Sequence, residues 1–430
     1  MEALLLIALL FLLLALGVWI GAALFLVGLV GLYLADPASV LANAANALWS
    51  ALSSWSLAAL PLFIWMGEVL YRSRLSTWLF AGLAPWLGRL PGGLLHLNVL
   101  GSAIFAAVIG SSAATTATVG RITLPELRRR GYPEDLAVGS LAGAGTLGFL
   151  IPPSIVMIVY GVMAEVSVAR LFIAGVVPGL LLAALMALTL GVWAALRKGE
   201  MPPPGPLEPL GVRFLKLLQL LPVLLLILAV IGSIYVGLAT PTEAAALGVA
   251  GALLLSALAG DLRPETFWAS LRGTVRTTAM IGFILAGASV LTLAMGFLGI
   301  PRALTAWAVE VGLTPYALIL ALSLVYLLMG MFLDGISMVV LTVSLLLPVV
   351  KAVGVDPLWF GVYLVLMVEL AQITPPVGFN LFVLQGLTGR DVLFIARSAL
   401  PFLGVILAAV GLLLAIPELV LWLPKRMTGG

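Results

Sequence analysis

GSAIFAAVIGSSAATTATVGRITLPELRRRGYPEDLAVGSLAGAGTLGFLIPPS, residues 101–154, decides how the rest of this chain is read. An apolar run stops at Gly110-Ser111-Ser112, a second run flecked with Ser and Thr climbs away from it, and a third breaks at Pro152-Pro153. Glycine frees φ and proline removes an N–H, so both interrupt helical backbone. Hydrocarbon cannot satisfy the groups so freed, at a cost of several kcal/mol apiece. Breaks at membrane depth therefore persist where they line a site that uses them. The stretch reads as half of a site for a small solute and an ion.

Composition sets the surroundings of that site. The 430 residues are 63% hydrophobic and only 9% charged, with mean hydropathy +1.24; a soluble domain carries roughly 25% charge. Several nearly uncharged apolar runs reach the roughly 20 residues that span a bilayer, so the chain reads as an all-α polytopic membrane protein. The net charge of +3 does not imply a nucleic-acid partner, because the basic residues cluster in loops, where the positive-inside rule accounts for them. The chain has no cysteine, which excludes disulfides, thiolate metal sites and cysteine nucleophiles. Its one histidine, His96, reads as a packed or interfacial residue. The N-terminal run lacks a basic lead and stays apolar to Leu34, so it is expected to be retained membrane helix rather than a cleaved signal.

Residues 3–35 are one long helix or two short ones hinged near Gly17–Gly21, ended by Asp36-Pro37. A polar-spotted segment at 39–54 leads to a span at about 56–71, and residues 72–90 mix arginines with Trp78, Phe80 and Trp86, as an interfacial helix does. A re-entrant hairpin follows, turning at Gly110-Ser111-Ser112 and ending near Pro125, with arms of about 14 residues. At 1.5 Å per residue these are too short to cross about 30 Å singly. Next come a broken crossing at 134–165, a span at 172–196 and a proline-rich loop. The second half repeats this plan: spans at 217–236, 242–260 and 277–297, an interfacial stretch at 299–312, a hairpin at 315–348, a broken crossing at 358–387 and a final span at 399–423.

The halves align by subtraction. Pro125 and Pro348 differ by 223, as do Gly131 and Gly354, Pro152 and Pro375, Pro153 and Pro376, and Pro178 and Pro401, which is the signature of an internal repeat. Five crossings separate the hairpins, an odd number, so the second hairpin enters from the opposite face. Placing Arg128-Arg129-Arg130 inside leaves only Arg170, Arg302, Lys351, Lys425 and Arg426 outside, in accord with the positive-inside rule. Inverted repeats with opposed hairpins and broken helices are the architecture of secondary transporters.

A broken helix exposes carbonyls at one new end and N–H groups at the other. Carbonyls with Ser or Thr hydroxyls suit a hard cation such as Na⁺, and N–H ends suit a carboxylate. The first sodium site is expected at Gly110, Ser111, Ser112, Thr146, Gly148 and Pro152; its counterpart is expected at Asp334, Gly335, Glu369, Thr374 and Pro376. Under the 223 offset Asp334 matches Ser111 and Glu369 matches Thr146, so the two sites differ in charge. Intramembrane carboxylates are costly, which makes function the default reading. A proton-carrying role and a bond to backbone N–H groups stay open for both. Ser112, Ser154, Tyr160, Ser337 and Asn380 are the solute-facing candidates. The plainer reading is that these hydroxyls bond helix carbonyls and the glycines permit close packing. No phosphate loop, acid–base pair or metal spacing supports an enzyme.

GSSAATTATVG, LPELRRRGY, AGAGTLGFLIPPS and ITPPVGFNLFVL together resemble the large membrane subunit of tripartite ATP-independent periplasmic (TRAP) transporters, along essentially the whole chain. That resemblance implies an elevator-type, sodium-coupled importer of small organic acids in the bacterial inner membrane, with no cofactor beyond Na⁺. It also implies two partners, a separate four-helix small membrane subunit and a periplasmic solute-binding protein that delivers the substrate. An apolar scaffold face, including the N-terminal spans and the 72–90 and 299–312 stretches, is expected to meet the small subunit. In that scheme residues 1–71 and 197–298 are scaffold, 72–90 and 299–312 are arm helices, and 91–196 and 313–430 are the transport repeats. Two alternatives remain: a self-sufficient divalent-anion sodium symporter, and a channel or scaffold protein, which explains the hydropathy but not the mirrored breaks.

Overall fold

The structure, a computed structural model, describes residues 2–203, 208–376 and 378–427. The described residues form helices joined by tight turns. In the first half these are α1 (Glu2–Ala15), α2 (Ile20–Ala35), α3 (Val40–Leu52), α4 (Ala59–Tyr71), α5 (Leu75–Leu87), α6 (His96–Ile109), α7 (Ser112–Arg129), α8 (Glu134–Thr146), α9 (Ile155–Ala164) and α10 (Val168–Leu196). The second half holds α11 (Leu210–Leu218), α12 (Leu221–Tyr235), α13 (Pro241–Leu258), α14 (Pro264–Phe297), α15 (Ile300–Glu310), α16 (Pro315–Gly330), α17 (Gly335–Ala352), α18 (Pro357–Gln372), α19 (Phe379–Thr388), α20 (Val392–Ala415) and α21 (Glu418–Lys425).

Five of these helices, α10, α13, α14, α17 and α20, are each long and apolar enough to cross a bilayer. Two pairs bent by 52° and 46°, α3 with α4 and α11 with α12, also pass together. Leu4, Phe11, Leu180, Leu188, Leu228 and Leu254 are all more than half exposed, which in water would be an aggregation liability and in lipid is an ordinary surface. This is a multi-pass membrane protein.

Element boundaries follow the arithmetic of the sequence. Ser112 and Gly335, which start α7 and α17, differ by 223, and both helices have 18 residues. Glu134 and Pro357 start α8 and α18 at the same offset. The first residues of α19 and α20 follow those of α9 and α10 by 224, one more than that offset.

One open alternative is settled and several expectations are corrected. Residues 3–35 form two helices, because Gly17 adopts φ +78° and closes α1. The polar-spotted 39–54 segment is mostly helix, α3. The second arm of the first hairpin does not stop at Pro125 but continues to Arg129, 18 residues in all. At 1.5 Å per residue that approaches the bilayer core thickness, so arm length alone does not decide re-entry. The long helix placed at 277–297 begins at Pro264. The span placed at 399–423 starts earlier and ends at Ala415, where Pro417 cannot donate an N–H and α21 begins afresh. A short helix, α11, precedes the 217–236 span and packs on α5, with Arg213 lying 4.4 Å over the Trp86 ring. Residues 204–207 of the proline-rich loop lie outside the described residues.

Small residues bring the helices into backbone contact. A Cβ at Gly28 of α2 would sit 2.6 Å from the Leu291 nitrogen of α14, and one at Gly143 of α8 would strike Phe402 of α20. Without a hydrophobic drive between helices in lipid, such close approach supplies the packing.

Candidate functional site

At the first hairpin tip α6 ends on Gly110, which takes φ +65°, and Ser111 turns the chain in extended conformation. The tip rests on the first proline break. The Ile155 N–H donates to the Gly110 carbonyl at 3.3 Å, and a Cβ at Gly148 would lie 2.7 Å from the Ser111 carbonyl. Within that break the Thr146 hydroxyl donates to the Gly143 carbonyl at 2.8 Å. Ser154 caps α9, accepting from the Met157 N–H at 3.3 Å. Pro152 and Ser154 are buried, and the Pro152-Pro153 and Pro375-Pro376 bonds are both cis.

The second hairpin turns through Asp334, which caps α17 by accepting from the Ile336 N–H at 3.1 Å and the Ser337 N–H at 3.4 Å. The Ser337 hydroxyl donates to its other oxygen. At the second break the Thr374 hydroxyl donates to the Leu370 carbonyl at 2.7 Å, and the Gly378 N–H donates to the Thr374 carbonyl at 3.0 Å. Pro376 is exposed.

The two halves interlock at these interruptions. Asn380, in the first turn of α19, donates through Nδ2 to the Ser112 hydroxyl at the first hairpin tip, 2.7 Å away. A Cβ at Gly335, on the second hairpin, would touch the Phe149 ring of the first break at 3.3 Å. Four helices, α7, α9, α17 and α19, thus begin at the breaks, directing N–H groups and partial positive charge there.

Glu369, in the last turn of α18, is fully buried and neither carboxyl oxygen has a hydrogen-bond partner among the described residues. The Leu150 amide of the first break faces it, although that N–H donates to the Leu147 carbonyl at 3.2 Å. A buried carboxyl without a partner is costly. The Thr115 and Thr116 hydroxyls and Asn380 Oδ1 are likewise buried and unpartnered. Both threonines escaped the sequence reading. Their signal was their place three and four residues after Ser112, one turn up the same helix.

The remaining candidates fall in different places. Tyr160 lies inside α9, away from its capped end, and its hydroxyl donates to the Pro357 carbonyl at 2.6 Å, tying α9 to the start of α18. Asp334 and Ser337 bond each other at the second tip, whereas Ser112, Thr146, Gly148 and Ser154 gather at the first. Glu126, near the end of α7, accepts from Arg129 at 2.8 Å and Arg130 at 2.6 Å.

A wholly helical membrane fold whose broken helices converge on buried oxygens defines a transporter-like permease. Comparison with known proteins agrees. The family model of the "Tripartite ATP-independent periplasmic transporter, DctM component" matches residues 7–419. The C4-dicarboxylate TRAP transporter large permease protein DctM of Pseudomonas aeruginosa is 36% identical over 86% of this chain and 86% of its own length. The sialic acid TRAP transporter large permease protein SiaM of Vibrio cholerae is 29% identical over 96% of each chain. Among solved structures the YdaH transporter of Alcanivorax borkumensis superposes with TM-score 0.62 at 12% identity, over 88% of this chain and 87% of its own, a likeness of fold alone. The chain belongs to the DctM family of TRAP transporter large permeases.

Proposed function

We propose that this chain is the transporting subunit of a sodium-coupled importer for a small organic acid in the bacterial inner membrane. A periplasmic binding protein delivers the acid, and a separate four-helix membrane subunit completes the complex. The observation that carries this reading is the convergence of two hairpin tips and two proline breaks on unpartnered buried oxygens, Glu369, Thr115 and Thr116 among them. Oxygen ligands of this kind suit Na⁺, and the adjoining helix N-termini suit a carboxylate. The relatives named for C4-dicarboxylate and for sialic acid share carboxylate chemistry, so the acid group is the common denominator rather than one substrate.

In this reading the two halves are inverted repeats, and the hairpins and broken helices move together as an elevator against the N-terminal and central helices. Ser112, Thr146 and Gly148 serve the first cation, with Thr374 and Gly335 serving the second and Glu369 between them. Ser154 and Asn380 lie where the solute is held.

The test is reconstitution in liposomes. The chain alone is expected to take up free acid poorly, and adding the small subunit with a loaded binding protein restores uptake that requires an inward sodium gradient. Full-rate uptake by the chain alone would replace the tripartite reading with that of a self-sufficient symporter. Uptake undiminished without sodium, on a proton gradient, would move the coupling to Glu369 or Asp334.

A further inference from the structure

Away from the breaks, α7, α8 and α19 enclose a cavity of about 470 Å³, within the range of small-ligand sites. Its near wall at Gly120 is eight residues along α7 from Ser112, or about 12 Å at the helical rise, and none of its lining residues is among the candidates at the hairpin tips and proline breaks. Arg121, Leu124 and Arg128 share one face of α7 and line it, with Tyr132 and Glu134 opposite.

The charge balance in this cavity is unusual. Arg121 donates to the Tyr71 hydroxyl at 2.8 Å, a neutral partner. Among the described residues no carboxylate stands within ion-pair distance of Arg121 or Arg128. The acid in the lining, Glu134, is already gripped through both oxygens by Arg390, at 2.9 and 2.5 Å. Arg121 and Arg128 thus share this cavity with one carboxylate, Glu134, which feels the charge of both Arg390 and Arg128, so the guanidinium groups outnumber it. The Tyr132 hydroxyl, which accepts from the Leu94 N–H at 3.1 Å, keeps its own proton to donate.

We propose that this cavity is a second, cytoplasmic anion site, in which Arg121 and Arg128 take a small oxyanion. Guanidinium forks match carboxylate and phosphate oxygens pairwise. The anion is the carboxylate of the imported acid on its way out, a role that rests on the import reading above, or a cytosolic phosphate that occupies the same cations.

The test is calorimetric titration of the full chain in nanodiscs, in sodium-free, low-salt buffer, with succinate and separately with inorganic phosphate. Binding of either anion is expected, weakened roughly tenfold or more in Arg121→Gln/Arg128→Gln, as the loss of charge-assisted hydrogen bonds dictates. Arg121→Lys/Arg128→Lys keeps the charges without the forks, and is expected to bind more weakly than the parent but more tightly than the glutamine pair. Tighter binding of succinate identifies the cargo as the occupant, and tighter binding of phosphate identifies the cytosolic ion. Equal affinity in the glutamine pair, or no binding of either anion, overturns the site. Failure of the import reading shows elsewhere, in sodium-driven uptake, and leaves this titration unchanged.

Discussion

At the scale of single residues, the contact between Ser112 and Asn380 is the direct hydrogen bond between the first hairpin tip and the second broken helix. It is buried, so removing either partner strands the other at a cost of about 1–3 kcal/mol. Ser112→Ala and Asn380→Ala are each expected to lower unfolding stability in detergent. The double variant should cost less than the sum by roughly 0.5–3 kcal/mol; strict additivity would show that the bond carries no energy. Glu369 poses the opposite case. Neither oxygen has a partner to lose, so Glu369→Gln is expected to fold with stability equal to the parent or higher. If the carboxylate holds a cation, the sodium concentration for half-maximal uptake should rise about tenfold or more, the equivalent of one charge-assisted contact. An unchanged sodium response with full uptake would remove Glu369 from the cation path.

At the scale of elements, glycines divide into those that let helices touch and those that do not. A Cβ at Gly139 of α8 would fall on the Ser398 carbonyl of α20, whereas Gly411 of α20 has open space around it. Gly139→Ala is therefore expected to destabilise by about 1–3 kcal/mol through forced separation of backbones. Gly411→Ala should gain about 0.5–1 kcal/mol from helix propensity and lost chain entropy. Thermal unfolding of the two variants in the same detergent checks the sign of each. The same reasoning explains why the hairpin turns were legible in the residues: Gly110 in the left-handed region and Asp334 as an N-cap are local chemistry.

At the scale of the whole molecule, one end gathers charges that lie far apart in sequence. Glu134 binds Arg390, and its neighbour Asp135 binds Arg197, so the starts of α8 and α20 and the end of α10 share one face. Since the chain has no cysteine, single cysteines can be introduced and labelled without background. Positions 129, 197 and 390 are expected to react only from the cytoplasm, and position 351 only from the periplasm. Labelling of 129 and 351 from the same side would defeat the inverted arrangement.

What the residues determined unaided was whatever depends on local covalent chemistry and transfer free energy. Low charge and long apolar runs demanded lipid, Gly110 and the paired prolines demanded interruptions, and five matched positions at one offset pointed to a repeat. Helix ends were less legible at Pro125, which α7 runs through to Arg129, because neighbouring helices stabilise turns that propensity leaves open. Only tertiary structure decided which interruptions meet. Asn380 reaches Ser112 across 268 positions of sequence, and Glu369 is buried opposite Leu150 with no partner. Such pairings arise from how helices stack, a long-range consequence of packing that no local window of sequence encodes.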